Sequence, residues 1–495
     1  MTYSEFLDTK TQSGDLSGFE PVWLPDRLFD FQRALVEWAI RKGRAAIFAD
    51  CGLGKTICQL VWAENVVRHT GKPVLILTPL AVSSQTVSEG AKFGIEAKRC
   101  RDGQHDGGIV VTNYERLDHF DWHDFAGVVC DESSILKNFG GVTRKKVTRF
   151  MAKLPYRLLC TATAAPNDYV ELGTSSEALG ELSYSDMLRR FFAQLDDKGQ
   201  KRELRMQFEA EKVIEADASY YRKLAYRVAQ TIGQWRLKHH AVRPFWRWVS
   251  SWARACRMPS DLGFADGGFV LPPLIERDHI VTPSTPPPGM LFTMPANGMH
   301  EERQERKRTI VERCDLAKRL VGHDRAAVVW CHTNNEGDRL SNIIDDAEQI
   351  AGNTSEDRRL ELYDAFLGGS LRVLVIKHKI GAWGLNWQHC NHVVTFASHS
   401  YEQYYQSVRR CWRFGQQLPV QLDVIATDGE ERVLVNMRSK ARRADAMFKS
   451  LIAEMGEATR IKRENAYVNR EEVPSWLSSK KCERGTRSTA AIASK

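Results

Sequence analysis

Residues 45–56 read Ala-Ala-Ile-Phe-Ala-Asp-Cys-Gly-Leu-Gly-Lys-Thr, an apolar run that passes through a glycine turn into a Lys-Thr pair. The run predicts a buried strand, and the sequence that follows favours a helix. Glycines let backbone N–H groups approach phosphate oxygens, and the helix directs its positive dipole end toward them. The candidate phosphate cradle consists of Gly52, Leu53, Gly54, Lys55 and Thr56. Its lysine would neutralise charge on the β and γ phosphates, and its threonine would ligate Mg²⁺. Ala49 stands where the usual pattern has its first glycine, so a turn that binds nothing is the alternative.

Length and composition limit the classes of protein that this sequence fits. The chain has 495 residues, enough for about three domains at ~150 residues each. Its 70 Lys and Arg against 62 Asp and Glu give a net charge of +8, which permits a polyanionic partner without requiring one. Its 11 cysteines include no Cys-x-x-Cys pair, so neither a zinc ribbon nor a disulfide framework is indicated. Without a signal-peptide pattern or an apolar run of ~20 residues, we expect a cytoplasmic protein with no membrane partner.

Further apolar runs predict a parallel α/β sheet around the glycine turn. They cover 73–79, 109–114, 127–132 and 156–163. Each is continuous rather than alternating, as expected of a strand buried on both faces. Each also ends in small or polar residues, which in a parallel sheet lie together at the carboxyl edge, where ligands bind. The sequence therefore predicts that the candidate chemistry collects at one edge.

The third of these runs ends in adjacent carboxylates. Asp131 suits Mg²⁺ coordination, and Glu132 can polarise the water that attacks a γ-phosphorus. An acidic turn is the alternative for the pair taken alone. Gln32 lies about twenty residues before the phosphate cradle, where its amide can both donate to and accept from an adenine; a surface glutamine is the alternative there. Together these groups predict an ATPase site.

A second set of apolar runs predicts another parallel α/β domain without its own phosphate loop. The runs cover 326–333, 371–376 and 391–396, and a helix is predicted over 355–366. Gly384 then falls in a glycine-containing stretch, and Arg410 and Arg413 stand three apart, which on a helix places them on one face. Guanidinium groups delivered from another domain can stabilise developing γ-phosphate charge. A basic helix with a glycine cap is the alternative.

The segment 181–305 lacks the buried-strand pattern and predicts a largely helical insertion with a proline-rich linker. At 100° per residue from Pro244, the aromatic residues share one face, and Arg247, Arg254 and Arg257 occupy the opposite arc. This stripe either contacts a nucleic-acid backbone or is the solvated side of a core-packed helix. The Ser, Lys and Arg-rich segment 456–495 predicts a disordered tail.

The motifs occur in the order of superfamily 2 helicases. They are Gln32, Gly52-Leu53-Gly54-Lys55-Thr56, Thr78-Pro79, Asp131-Glu132, Thr161-Ala162-Thr163, Gly384-Leu385-Asn386 and Gln406…Arg410…Arg413…Gly415-Gln416. The Gly-Leu-Asn and Arg-x-Gly-Gln elements resemble the Snf2 branch. Residues 131–138 resemble bacteriophage and prophage members of the DEAD/DEAH-box type.

This resemblance implies a role for each matching residue. Contacts with ATP would come from Gln32 (adenine), Gly52, Leu53, Gly54, Lys55, Thr56, Gly384 and Gln406. Asp131 would hold Mg²⁺ with Thr56, Glu132 would be the water-activating base, and Arg413 would be an arginine finger with Arg410 beside it. The nucleic-acid path would be lined by Thr78, Asn113, Thr333 and Lys379. The second motif departs from the family in reading Asp-Glu-Ser-Ser, which leaves Ser133 or Ser134 to bridge toward Thr161; His378 and Ala382 also replace a usual Thr and Gly.

We therefore expect two RecA-like domains with a largely helical insertion between them. The expected bounds are 1–25 for an N-terminal extension, 26–180 for the ATP-binding domain, 181–305 for the insertion, 306–455 for the second domain and 456–495 for the tail. The expected function is an ATP-dependent DNA translocase that acts on duplex DNA. The alternatives are a strand-separating helicase on forked or branched DNA or on RNA, and an ATP-gated clamp that recruits a protein partner through the insertion or the tail.

Overall fold

The computed structural model describes residues 16–80, 82–138, 140–194, 235–283, 299–381, 386–398 and 400–455. The predicted tail, most of the N-terminal extension and the centre of the predicted insertion lie outside these residues. Among the described helices, none is both long and apolar enough to cross a membrane.

The strands of the described residues are, in chain order, β1 (Arg44–Ala49), β2 (Val74–Thr78), β3 (Ala97–Arg99), β4 (Ile109–Asn113), β5 (Gly127–Asp131), β6 (Tyr156–Cys160), β7 (Phe192–Gln194), β8 (Trp235–Leu237), β9 (Ala253–Cys256), β10 (Leu274–Val281), β11 (Ala327–Cys331), β12 (Ala347–Ile350), β13 (Val373–Lys377), β14 (His392–Phe396) and β15 (Val420–Thr427).

The α-helices are α1 (Asp30–Lys42), α2 (Lys55–Thr70), α3 (Ser83–Lys92), α4 (Val142–Met151), α5 (Leu172–Leu179), α6 (Tyr184–Phe191), α7 (Val242–Trp252), α8 (Met299–Arg308), α9 (Ile310–Leu320), α10 (Asn334–Ile343), α11 (Glu356–Leu367), α12 (His378–Gly381), α13 (Tyr401–Val408) and α14 (Glu431–Glu454).

The first domain is built on a seven-stranded sheet with the order β3-β4-β2-β5-β6-β1-β9. All of its strand pairs are parallel. The runs predicted at β1, β2, β4, β5 and β6 are confirmed, and almost every residue in these strands is buried. Since parallel strands need covering helices on both faces, their continuous apolar sequence follows from the fold. The residues after these strands meet at one edge of the sheet.

The second domain has a six-stranded parallel sheet with the order β10-β15-β14-β11-β13-β12. It therefore repeats the α/β architecture of the first domain, and the predicted fold of two RecA-like parallel-sheet domains is confirmed. The predicted helix near 355–366 is confirmed as α11. A separate antiparallel pair, β7 with β8, lies in the predicted insertion.

Two strands correct the assignment of 181–305 to the insertion alone. β9 pairs with β1 in the first sheet, and β10 pairs with β15 in the second. β9 has four residues and follows an aromatic helix directly, so its sequence reads as more of that helix. β10 is an edge strand whose side chains are mostly exposed, so it lacks the apolar run that marks a central strand.

The last helix links the two domains. Near its start, Val433, Leu434 and Met437 pack in the core of the second domain. Near its end, Met447, Phe448 and Leu451 pack in the core of the first domain, which also contains Trp252. One continuous helix thus contributes buried apolar surface to both domains.

Candidate functional site

The glycine turn after β1 has a backbone conformation that residues other than glycine rarely adopt. Gly52 and Gly54 have φ of 90° and 78°, in the left-handed region that favours glycine. A Cβ at Gly54 would lie 2.3 Å from Gln32 Nε2, and one at Gly52 would lie 2.9 Å from the backbone nitrogen of Phe414. The first contact is within the first domain and the second is with the other domain. Both glycines are therefore needed for conformation and for close packing.

Lys55 begins α2 and its side chain turns back over the loop. Its Nζ donates to the carbonyl oxygens of Ala49 at 3.0 Å and Asp50 at 3.3 Å. Thr56 is the second residue of the same helix. The unpaired N–H groups of the first helical turn lie at the same place as the lysine. The arrangement provides an ammonium, a hydroxyl and helix amides for an anionic ligand.

Gln32 lies on α1 and is held against the loop. Its Nε2 donates to the Leu53 carbonyl at 3.0 Å, and its Oε1 accepts the Phe29 N–H at 3.2 Å. The side chain is buried. The structure thus brings Gln32 to the glycine turn of residues 50–54, which we call the phosphate loop, with both ends of its amide bonded to the backbone of the protein.

Asp131 lies at the end of β5 and is fixed by two neighbours. Gln59 Nε2 donates to its Oδ1 at 2.6 Å, and the Tyr114 hydroxyl donates to its carbonyl at 2.6 Å. Burial raises the pKa of the Asp131 carboxyl to about 6, and the adjacent Glu132 carboxylate adds to the rise. A cation beside this carboxylate would favour its charged form.

The side-chain oxygens of Asp131 and Thr56 are of the kind that fits Mg²⁺. Carboxylate and hydroxyl oxygens from Asp131 and Thr56 are hard ligands of the kind that Mg²⁺ prefers, and this ion usually takes only one or two carboxylates from the protein. Among the described residues there is no cluster of three or more His, Cys, Asp or Glu side chains that could hold a metal. An Mg²⁺ ion held by only these two side chains would keep water or ligand oxygens at its other positions.

Glu132 lies where the two domains meet. Its φ of 51° is in the left-handed region, an unusual backbone for a non-glycine residue that is found preferentially at functional sites. Its Oε2 accepts the Thr161 hydroxyl at 3.2 Å and Gln406 Nε2, from the second domain, at 3.4 Å. The expectation that Ser133 or Ser134 bridges toward Thr161 is wrong, because Thr161 reaches Glu132 directly and Ser134 bonds the Glu132 carbonyl.

Arg410 and Arg413 do not share a helix face, which corrects the prediction. α13 ends at Val408, and both arginines lie in the turn that follows. Arg410 donates from Nε to the Gln406 carbonyl at 2.9 Å and from Nη2 to its side-chain Oε1 at 2.8 Å. Arg413 Cβ lies 3.6 Å from the point where a Cβ on Gly52 would be. The turn thus brings Arg413 to the phosphate loop, while Arg410 is held by Gln406, whose side chain contacts Glu132.

The residues predicted to line a nucleic-acid path are placed differently from one another. Thr78 and Asn113 are buried at the ends of β2 and β4, where the Thr78 hydroxyl donates to Thr112 and Asn113 Oδ1 accepts from Ser83. Thr333 is exposed and caps α10. Lys379 is the second residue of α12. Gly384, a predicted ATP contact, lies outside the described residues.

The predicted arginine stripe does not form. α7 ends at Trp252, and Ala253 takes an extended backbone that begins β9, so the helical period stops before the second arginine. Arg247 is exposed on α7. Arg254 is buried with its guanidinium 4.3 Å from the centroid of the Trp38 ring, and Arg257 pairs with Asp445 at 2.8 Å. Each arginine therefore has a different environment.

Four residues that sequence reasoning missed belong to this site. They are Asp50, Gln59, Tyr405 and Arg409. Asp50 lies in the quoted loop, and Gln59 stands four residues after Lys55, on the same face of α2. Tyr405 and Arg409 contact Asp50 from the second domain. A cavity of about 400 Å³ is lined by Asp50, Tyr405 and Arg409, and lies between the phosphate loop, residues 257–271 and the second domain.

The chain is similar to known proteins both in sequence and in structure. No curated protein matches the chain. Among solved structures, the chain is similar to one described as "Sulfolobus solfataricus SWI2/SNF2 ATPase core in complex with dsDNA", at 17% identity and a TM-score of 0.39, over 92% of this chain and 100% of that chain. In sequence, residues 306–415, which include the turn with Arg410 and Arg413, match the family described as the helicase conserved C-terminal domain.

Proposed function

We propose that the protein hydrolyses ATP between its two domains and uses the cycle to move along DNA, with duplex DNA as the preferred track. The observation that carries the proposal is the position of Glu132. This carboxylate lies beside Asp131 at the end of β5 and is contacted by Thr161 from its own domain and by Gln406 from the other. A water-activating group placed there would respond to the distance between the domains.

The chemistry assigns separate roles to the residues of this interface. Thr56 and Asp131 would hold Mg²⁺, which neutralises phosphate charge when bound. Lys55 and the amides of the glycine turn bind the β and γ phosphates. Glu132 orients the attacking water and takes its proton, and Arg410 and Arg413 stabilise the charge that develops on the γ-phosphate.

Movement follows from contacts that depend on domain closure. In this proposal the second domain supplies Gln406, Arg410 and Arg413 to a site whose phosphate loop belongs to the first domain, so nucleotide binding and product release would change how the two domains are placed relative to each other. Grip on DNA would come mainly from backbone phosphates, which makes binding independent of sequence and sensitive to salt. The resemblance to the Snf2 branch supports duplex DNA over RNA.

A triplex-displacement experiment tests translocation directly. A labelled third strand is bound to a duplex, and its release is followed with ATP, without ATP, and with the Glu132→Gln variant. A duplex translocase displaces the third strand in the presence of ATP while the duplex stays intact. Separation of a forked duplex without triplex release would favour the strand-separating helicase, and neither activity despite ATP turnover would favour the ATP-gated clamp.

A further inference from the structure

Helix α13 and the turn after it direct one polar face at the first domain. Its contacts across the interface are Glu402 with Lys137, Tyr405 and Arg409 with Asp50, and Gln406 with Glu132. Residues three and four apart lie on the same side of a helix. This face therefore forms a continuous contact with the first domain, centred on the candidate catalytic carboxylate.

Asp50 is the point where this face meets the phosphate loop. Its side chain is buried, with 6% exposure. One carboxylate oxygen accepts the Cys51 N–H at 2.6 Å and the Tyr405 hydroxyl, and the other accepts the Arg409 guanidinium. A buried carboxylate is costly unless it is paired and hydrogen-bonded. The second domain thus supplies the partners that Asp50 needs, at the first residue of the loop.

Arg409 is held equally firmly on its own side. Its guanidinium lies 4.4 Å from the centroid of the Trp412 ring, and its Nη1 donates to the Trp412 carbonyl at 3.2 Å. Trp412 stands between Arg410 and Arg413 in the same turn. Arg409 is therefore attached both to the Trp412 ring and to the backbone of that turn.

We propose that Arg409 is a positioning residue: its ion pair with Asp50 seats the turn that carries Arg410 and Arg413 against the phosphate loop. The effect on turnover rests on the proposed ATPase function, whereas the coupling between the loop and the turn does not. The Asp50–Arg409 ion pair would keep Arg410 and Arg413 within reach of the γ-phosphate. Because Asp50 also accepts the Cys51 N–H, the same pair would fix that amide of the loop.

Enzyme kinetics test the effect on turnover. Arg409→Gln should lower kcat about tenfold or more, because misplacement of charge-stabilising groups by about 1 Å has effects of this size, while KM for ATP changes little since the first domain binds the phosphates. Arg409→Lys, which keeps the charge, should recover part of the loss. Asp50→Asn combined with Arg409→Gln should be no slower than the slower of the two single variants. Arg358→Gln, an exposed arginine within the second domain, is the matched control.

Hydrogen exchange tests the coupling without reference to hydrolysis. Arg409→Gln should speed amide exchange in residues 50–54 of the first domain, and Asp50→Asn should speed it in residues 405–414 of the second, while β11 stays protected in both variants. Tyr405→Phe, a milder change, should show the same effect to a smaller degree and replaces Arg409→Gln if that variant does not fold.

The results separate this inference from the proposed function. Reciprocal exchange effects in a protein that hydrolyses no ATP would support the coupling and contradict the ATPase. An active ATPase whose Arg409→Gln variant keeps wild-type kcat and wild-type exchange would contradict the coupling alone. Independent, multiplicative effects of the Asp50 and Arg409 substitutions would also contradict it.

Discussion

At the scale of single residues, the environment of Asp131 makes the site depend on pH. Its carboxyl is buried beside Glu132, and Gln59 donates to it from α2. Sequence reasoning missed Gln59, although its helical spacing from Lys55 could have indicated that it faces the loop. The sequence does not show that Asp131 arrives there, because that depends on the order of strands in the sheet.

The first prediction concerns Mg²⁺ affinity. Protons compete with Mg²⁺ for Asp131, whose pKa is raised to about 6, so apparent affinity should increase as the pH rises through about 6 and then level off. Gln59→Leu removes a hydrogen bond that favours the charged carboxylate, so the transition should move to higher pH and KM for Mg²⁺ below it should rise about tenfold.

The measurement is ATP turnover as a function of Mg²⁺ concentration, below, at and above pH 6. The exposed Gln104→Leu is the control. An unchanged pH dependence in Gln59→Leu would show that this hydrogen bond does not tune Asp131.

At the scale of elements, continuous apolar runs could be predicted and irregular junctions could not. β1, β2, β4, β5 and β6 carry that pattern because helices cover both faces of the sheet. β9 does not carry this pattern. It has only four residues and follows an aromatic helix directly, so its sequence is too short to show the change from helical to strand periodicity. The same junction explains why Arg254 is buried over Trp38 instead of standing beside Arg247.

The second prediction separates these two arginines. Arg254→Glu places a carboxylate in a buried position that a guanidinium fills, so the free energy of unfolding should fall by about 3 kcal/mol or more. Arg247→Glu changes an exposed side chain and should alter it by no more than about 0.5 kcal/mol. Urea unfolding measures both. Loss of DNA binding in a fully stable Arg254→Glu protein would contradict the structural role.

The third prediction concerns the stability of the second domain. The rings of His332 and His378 stack with centroids 4.8 Å apart. Burial lowers the pKa of His332 to about 4, with Arg306 adding to the effect, and burial holds the pKa of His378 well below its ordinary value. In the unfolded chain these two imidazoles titrate at about pH 6.5. Between about pH 6.5 and 4 they therefore bind more protons in the unfolded chain than in the folded one, and the free energy of unfolding falls as the pH falls.

Thermal unfolding across this pH window checks the sign. His332→Gln should flatten the dependence, whereas His123→Gln, at an exposed position, should leave it unchanged. A midpoint for His332→Gln that falls as steeply as that of the wild type would rule out His332 as the source.

At the scale of the whole molecule, the sequence predicts two domains and a shared site, and the structure adds how they meet. The motif order and the apolar runs were enough to place Lys55, Asp131 and Glu132 at one edge of one sheet. The pairing of Asp50 with Arg409 joins residues 359 positions apart in the chain, which no local pattern encodes. The dual packing of α14 is equally hidden, because both of its halves are ordinary amphipathic helix.

Steady-state ATP hydrolysis with no nucleic acid, single-stranded DNA, blunt duplex DNA and RNA measures both the DNA dependence of turnover and the role of Glu132. We expect a low basal rate, strong stimulation by duplex DNA that weakens with added salt, and turnover at least ~100-fold lower in the Glu132→Gln variant, which keeps ATP and DNA binding. Equal hydrolysis by wild type and Glu132→Gln would show instead that the carboxylate between the domains has no part in the reaction.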